Sequence, residues 1–305
     1  MTLTTLRTLL PAQGKGIILT FASAACISVT FVASKQALLE LSPLAFTPVW
    51  FAVASLWGIG FYLLRSGPKL PTGLSASTGP ILLLGSLNSV ANLLFFTAIN
   101  LGDPTLVAFF SRSETVYSVL LGAWFLGERM YRYQWVGVAI AIAGAGVMTF
   151  QAGPIAWLVL LILLVSTLFL SFSRLIAKKN VATVEPLILS TARTVLMSLM
   201  LGLAGLVFGQ LAWPSSTAWL WIIGGSFFGP FLSYVLFYKG LLYLDLAKGS
   251  VIRATQPLFV AVYSLILFGT FITGQQFIGG MMMIAGVVLM LWQRQKNNEA
   301  MNNAQ

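Results

Sequence analysis

The 305-residue sequence contains no histidine, a single cysteine and few charged residues, which make up only 8% of the chain. Structural zinc sites, haem ligation, Cys/His catalysis and internal disulfides all need side chains that are missing here. The one thiol, Cys26, lies in an apolar stretch and is interpreted as a small buried hydrophobic residue. We therefore expect neither a metal nor a cofactor.

Charge is too scarce for a water-soluble surface. Soluble globular proteins carry about 25% charged residues, so a chain with 58% hydrophobic residues and so little charge needs lipid as its solvent. The net charge of +10 does not indicate nucleic-acid binding, because the basic residues stand singly or in pairs between apolar runs and form no stripe. Scattered Lys and Arg residues of this kind are typical of the cytoplasmic loops of a membrane protein.

Ten apolar runs of about the length of a membrane-spanning helix, roughly 20 residues, follow one another along the chain. The connectors are short, and several contain a proline that stops a helix. The sequence therefore predicts an all-α membrane protein with about ten transmembrane helices. Residues 1–16 are predicted to be a cytoplasmic N-terminal segment, and residues 293–305 a disordered cytoplasmic tail. The runs are 17–38, 46–64, 80–99, 105–126, 134–150, 154–174, 187–208, 218–238, 250–268 and 275–292.

Loop charge predicts the orientation. With both termini in the cytoplasm, the inner segments hold 13 basic residues and the outer segments only Lys35. Because cytoplasmic loops are enriched in Lys and Arg, we expect a multi-pass protein of a bacterial inner membrane with both termini cytoplasmic. The inner residues are Arg7, Lys15, Arg65, Lys69, Arg129, Arg132, Arg174, Lys178, Lys179, Lys239, Lys248, Arg294 and Lys296.

Weak internal similarity divides the chain into two repeats, residues 17–150 and 154–292. Segment 137–148 resembles 279–290, and residues 111–112 resemble 252–253. Three further matches keep the same order: Ser34-Lys35 with Ser173-Arg174, Pro43 through Trp50 with Pro186 through Arg193, and Phe95-Phe96 with Phe237-Tyr238. Five helices per repeat would place the second repeat upside down, an architecture typical of alternating-access transporters. Trp50 stands where the second repeat has Arg193, so we expect an asymmetric cavity.

These features, together with the sequence Leu126-Gly127-Glu128-Arg129 at the end of the fourth run and Gly137 and Gly144 in the fifth, resemble the EamA-type family of the drug/metabolite transporter superfamily. The resemblance covers about residues 15–292. It implies the transport, often the export, of amino acids or related metabolites through a central cavity.

Four ionisable residues fall inside predicted helices: Arg112, Glu114, Arg193 and Arg253. A charge at the centre of a bilayer costs about 2.5–3.5 kcal/mol on insertion scales, so these residues are candidates for substrate binding or coupling. The alternatives are a buried ion-pair network or snorkelling to a helix end. On an ideal helix Arg112 and Glu114 point about 200° apart and share a face only if the helix is distorted.

Polar and aromatic candidates accompany them. Asn88 and Asn92 share one helix face, and Gln256 follows Arg253; Trp50 and Tyr234 are candidate aromatic walls. Hydrogen bonds between helices and ordinary packing are the alternative roles. The surplus of arginine over glutamate indicates an anionic or carboxylate-bearing substrate.

The predicted function is a secondary transporter, and specifically an exporter of a small metabolite such as an amino acid; the alternative is a channel or facilitator for small polar solutes. We expect no enzyme activity, because Glu114 is the single acid within the predicted helices. Glu114 could couple transport to protons, or could be permanently ionised and paired with an arginine of another helix. The small-residue stripes beginning at Gly137 and Gly279 predict close packing of the fifth and tenth helices, or a homodimer.

Overall fold

The computed structural model describes residues 12–67, 78–126, 132–149, 153–244, 246–253, 255–269, 271 and 273–302, and in these residues all regular structure is helical. The helices are α1 (Ala12–Ala37), α2 (Pro43–Ser66), α3 (Thr78–Leu101), α4 (Pro104–Phe110), α5 (Ser113–Leu126), α6 (Arg132–Thr149), α7 (Gly153–Asn180), α8 (Pro186–Val207), α9 (Ser216–Ser226), a π-helix (Phe227–Ser233), α10 (Tyr234–Leu241), α11 (Leu246–Arg253), α12 (Gln256–Phe268) and α13 (Gly274–Asn302).

Six helical segments in the described part of the chain are long and apolar enough to cross a membrane. Large apolar side chains of these segments, such as Leu64, Leu161 and Leu203, are exposed on the surface of the protein. Contiguous apolar surface of this kind is stable in lipid. The described part of the chain therefore has the structure of an all-helical membrane protein. The six segments are Gly14–Ala37, Pro43–Ser66, Thr78–Leu101, Pro154–Asn180, Pro186–Val207 and Ser216–Leu241.

Helix ends follow local chemistry. Asp103 precedes Pro104, and its carboxylate accepts the N–H groups of Thr105 (2.8 Å) and Leu106 (3.2 Å), which have no partner within α4. Proline fits the first helical turn because it has no N–H to satisfy. At the C-terminal end of α12, Gly269 adopts the left-handed conformation (φ 64°) that terminates a helix without strain.

Three of the predicted runs are interrupted. The run at 105–126 breaks at a turn formed by Ser111 and Arg112, and the run at 250–268 breaks between Arg253 and Gln256. The run at 218–238 widens into the π-helix around Pro230, which cannot donate a backbone hydrogen bond. Such breaks expose backbone groups that other side chains must satisfy.

Helix α6 packs closely against α13. A Cβ atom added to Gly144 would lie 2.5 Å from the carbonyl oxygen of Gly279, and one added to Gly286 would lie 2.5 Å from that of Gly137. Only glycine permits this approach. The predicted small-residue stripes are therefore used within the chain, and a homodimer stays a prediction. Helix α2 likewise packs on α8, and α3 on α7.

Two lysines cap helix C-termini. Lys35, at the end of α1, donates from Nζ to three carbonyls at the end of α3, at 2.9–3.0 Å. Lys178, near the end of α7, donates to the carbonyl of Leu241 (2.7 Å), the last residue of α10, and to that of Leu244 (2.9 Å) just beyond it. A cation at a helix C-terminus satisfies orphan carbonyls and complements the helix dipole.

Two expectations from the sequence need correction. Arg174 lies inside α7 rather than in a cytoplasmic loop, because residues 175–177 add another apolar stretch before the helix ends at Asn180. The segment from Gln293 continues α13 to Asn302 instead of starting a disordered tail. Its Gln, Arg, Lys, Glu and Ala residues favour helix, and no Gly or Pro stops it. Residues 1–11, 127–129 of the Leu-Gly-Glu-Arg sequence and 303–305 lie outside the described residues.

Candidate functional site

A buried cavity lies where the interrupted helices meet α1, α2, α3 and α7. The volume of the cavity is about 50 Å³. Its lining contains a polar, charged group of residues, the polar side, and an apolar group, the apolar side. The polar side includes Arg112, Glu114, Arg174, Arg253, Asn92, Tyr234 and Gln256; the apolar side includes Ile27, Phe31, Trp50, Phe51, Phe95, Phe96 and Leu170.

The turn between α4 and α5 brings Arg112 and Glu114 to the same cavity. Both side chains line it, although an uninterrupted helix would direct them apart. Ser111 and Arg112 end α4, and α5 restarts at Ser113. The distortion therefore gives one short segment two opposite charges at a single site.

Arg112 joins the interrupted pair α4 and α5 to the interrupted pair α11 and α12. Its Nη1 donates to the backbone carbonyl of Arg253 (2.5 Å), and its Nη2 to the side-chain oxygen of Gln256 (2.8 Å). Its Nε donates to the carbonyl of Ala108 (3.3 Å) in the preceding turn. All three nitrogens of this guanidinium are thus used by the protein. The carbonyl of Arg253 is accessible because α11 ends at that residue.

Glu114 forms a buried ion pair with Arg174 of α7. Their side chains are only 5% and 8% exposed, so the charges neutralise each other away from water. The guanidinium of Arg174 also lies 5.2 Å from the centre of the Phe237 ring. The hydroxyl of Ser171, one turn earlier on α7, donates to the backbone carbonyl of Glu114 (3.0 Å) and ties α5 to α7.

Arg193 lies behind the cavity wall. Its guanidinium stacks over the ring of Tyr234, 3.6 Å from the ring centre. Its Nη1 donates to the side-chain oxygen of Asn88 (3.4 Å), and its Nη2 donates to the carbonyl of Pro230 (3.1 Å) in the π-helix. Asn88 in turn donates to the carbonyl of Leu84 (2.7 Å) and to the hydroxyl of Ser173. This layer fixes the position of Tyr234 on the cavity side.

Arg253 differs from the other three arginines. It is 2% exposed and lines the cavity, yet its Nε and Nη1 have no hydrogen-bond partner among the described residues. Its guanidinium lies 4.7 Å from the ring centre of Phe237 and 5.7 Å from that of Tyr234. Ring faces stabilise a cation in part, but they leave its N–H donors unused.

The apolar side is built from aromatic rings of α1, α2 and α3. Phe31 and Phe95 meet edge to face at 5.0 Å between ring centres, and Trp50 and Phe96 meet at 6.0 Å. Phe95 and Phe96 are themselves in contact at 5.2 Å. A Cβ atom on Gly225 of α9 would lie 2.4 Å from the ring of Trp50, so the tryptophan is wedged between helices. This wall is closely packed.

Seven of the nine predicted candidates line the cavity, and the other two, Asn88 and Arg193, form the layer behind it. Their roles in transport stay predictions. Sequence reasoning missed Arg174, because the apolar run was taken to end at that residue. The signal was the apolar triplet at 175–177, which precedes the lysines of the real helix end. In the described part of the chain, His, Cys, Asp and Glu side chains form no group able to hold a metal ion.

Comparison with known proteins gives consistent results. The model of the EamA-like transporter family matches residues 14–150 and again residues 157–292. An uncharacterized transporter of Archaeoglobus fulgidus is 31% identical over 97 residues, which are 32% of this chain and 36% of that protein. A probable amino-acid metabolite efflux pump of Escherichia coli K12 is 32% identical over 120 residues, 39% of this chain. The match spans 37% of that pump, so little more than a third of either relative is covered.

Solved structures include a crystal structure with a similar fold. It superposes with a TM-score of 0.69 over 92% of this chain and 98% of that one, at 16% sequence identity. The likeness concerns the fold alone.

Proposed function

Because this chain belongs to the EamA-like transporter family, we propose that it is a secondary transporter that exports a small metabolite, such as an amino acid or a related carboxylate, by alternating access. The observation that carries the proposal is the buried cavity, in which Arg253 presents unused hydrogen-bond donors. A guanidinium is the side chain best suited to hold a carboxylate. The similarity to a probable amino-acid metabolite efflux pump of E. coli supports the same class of substrate and the same direction.

The proposed architecture is ten spans in two inverted five-helix repeats, with the three interrupted pairs counted as one span each. The double match of the family model supports two repeats. Related contacts support them too: Lys35 of the first span caps the third, and Lys178 of the sixth caps the eighth. Gly144 and Gly286 make reciprocal approaches between the fifth and tenth spans. With five spans per repeat, the second runs in the opposite sense.

The proposed location is a bacterial inner membrane, with both termini in the cytoplasm. The basic residues support this orientation, since Lys178 and Lys179 lie in the last turn of α7 and Arg65 in that of α2, at ends assigned to the cytoplasm. Lys35, the basic residue assigned to the outer side, is bound to helix carbonyls.

A carrier fits the cavity better than a channel or facilitator. The space open to water is about 50 Å³, which holds a few water molecules. A channel needs a continuous wet path, whereas a carrier passes through a closed state between its two open ones.

Counterflow tests the proposal. Proteoliposomes loaded with an unlabelled substrate should accumulate the labelled substrate from outside against its own gradient, because a carrier returns with either copy bound. Phenylalanine and leucine are suitable first substrates because they combine a carboxylate with an apolar body. Rapid equilibration with no transient accumulation would indicate a channel. No protein-dependent flux of any metabolite carboxylate would refute the function.

A further inference from the structure

The distribution of hydrogen bonds separates Arg253 from the arginines around it. Arg112 is bonded to helix carbonyls and Gln256, Arg174 to Glu114, and Arg193 to Asn88 and Pro230. Arg253 alone among these four keeps both Nε and Nη1 without a partner, although it is buried at the cavity. Buried charged donors are normally satisfied, so an anion is the ligand that this side chain lacks.

The cavity that Arg253 lines also has apolar residues in its lining. Phe31, Trp50 and Phe95 are each at most 8% exposed and form the wall on the first-half side. This wall suits the body of an apolar ligand, which gains by leaving water. The two walls together fit a molecule with one anionic end and one apolar end.

In the described part of the chain, the cavity offers no acidic side chain that is free to bind the ammonium group of a ligand. Glu114 is already paired with Arg174, and no other acidic side chain lines the cavity among the described residues. The four arginines exceed the one glutamate by three positive charges, so an added cation meets repulsion from every side of the polar wall. A zwitterionic amino acid would gain at its carboxylate and lose at its ammonium.

We propose that the cavity selects organic acids that carry an apolar body and no positive charge, with the carboxylate bound by Arg253 and the body packed against the wall of Phe31, Trp50 and Phe95. This inference rests on the proposed transport function and narrows its substrate class. The amino acid with the same side chain is the poorer ligand. Deaminated or N-acylated acids, which keep the carboxylate and lose the ammonium charge, are the preferred class.

A matched set of ligands tests this selectivity on the purified full-length protein in detergent, where binding is free of bilayer permeation. 3-Phenylpropionate and phenylalanine differ only by the amino group, and phenethylamine keeps the amine but lacks the carboxylate. Calorimetric titration should give a dissociation constant at least tenfold lower for 3-phenylpropionate than for phenylalanine, with no binding of phenethylamine. N-Acetylphenylalanine should behave as the deaminated acid does.

The variant Arg253→Gln tests whether Arg253 is the residue that binds the carboxylate. It should weaken binding of 3-phenylpropionate at least tenfold while the melting temperature of the ligand-free protein stays the same or rises, since it removes a buried charge that lacks partners. The control Arg65→Gln removes an equal charge from an exposed pair with Glu185, where the arginine side chain is 63% exposed. It should bind the acid as the parent does.

Phenylalanine binding as tightly as 3-phenylpropionate would overturn the inference and leave the proposed transport intact, because counterflow of the amino acid would still occur. Unchanged acid binding by a folded Arg253→Gln protein would overturn the assignment of this arginine. Failure of every ligand in the set to bind would also overturn the inference, and counterflow with other metabolites would then decide the proposed function separately.

Discussion

The buried ion pair between Glu114 and Arg174 allows a quantitative test of the site. Both side chains are more than nine-tenths buried. At contact distance and an effective dielectric constant of about 20, the attraction of two unit charges is about 4 kcal/mol. Removing one partner of a buried pair costs about 3–5 kcal/mol, because the other charge stays buried without compensation.

Glu114→Gln and Arg174→Gln should lower the free energy of unfolding by different amounts. Glu114→Gln leaves four arginines with no acid among the cavity residues, so we expect the full loss of about 3–5 kcal/mol, eased only by the ring of Phe237 near Arg174. Arg174→Gln leaves Glu114 in a cavity that also holds Arg112 and Arg253. These cations take over part of the compensation, so this loss should be the smaller one.

A double-mutant cycle on thermal unfolding in detergent measures these values. The double variant with Gln at both positions should be more stable than Glu114→Gln, because no charge of the pair remains. A free energy of unfolding for Glu114→Gln within about 0.5 kcal/mol of the parent, the range of ordinary surface substitutions, would refute the reasoning. A double variant as unstable as Glu114→Gln would show that the charge of Arg174 is not the cause.

The remaining predictions concern packing, helix ends, orientation and coupling. Gly144→Ala should lower the free energy of unfolding by about 1–3 kcal/mol, because its Cβ meets the backbone of α13. The control Gly146→Ala, which has open space around its Cβ, should be neutral in the same assay. Equal losses of stability in the two variants would contradict the close approach of α6 and α13. Lys35→Met leaves three carbonyls without a donor and should cost about 1–3 kcal/mol, while an unchanged melting temperature would show that water replaces the lysine. A reporter active only in the periplasm, fused after Gln305, should be silent, and an active fusion would reverse the orientation. If Glu114 carries the coupling proton, Glu114→Gln proteoliposomes should keep downhill flux and lose gradient-driven accumulation; full accumulation by this variant would eliminate coupling through Glu114.

The long apolar helices could be predicted because lipid imposes a simple rule. A helix must be apolar and about 20 residues long to cross a bilayer, and prolines such as Pro43, Pro104 and Pro186 mark where the helices begin. The end of α7 was missed because a single arginine was taken as the end of the membrane. A charge stops a span only when it lies in water, and Arg174 has its partner inside the protein.

Which residues meet at the cavity was harder to predict from the sequence. Ideal helix geometry separates Arg112 from Glu114, and only the turn at 111–112 brings them together. No proline or glycine marks that turn, so nothing local predicts it. The second break is marked by Pro257, and the π-helix by Gly229 and Pro230. A sequence can count buried charges, but it cannot tell which are satisfied, because that depends on contacts between helices that are distant along the chain.

Arg112 and Arg253 show how contacts between distant helices decide which buried charge is satisfied. They occupy corresponding positions in the two proposed repeats, and each lies at a helix break. The break after Arg253 exposes its backbone carbonyl, and the side chain of Arg112 binds that carbonyl. Arg112 is thereby held by the protein itself, while the guanidinium of Arg253 receives no such partner among the described residues. The two arginines differ because Arg112 satisfies the backbone carbonyl at the break that follows Arg253. Arg253 is therefore the arginine that we propose for ligand binding, and it lines the same cavity as the aromatic residues.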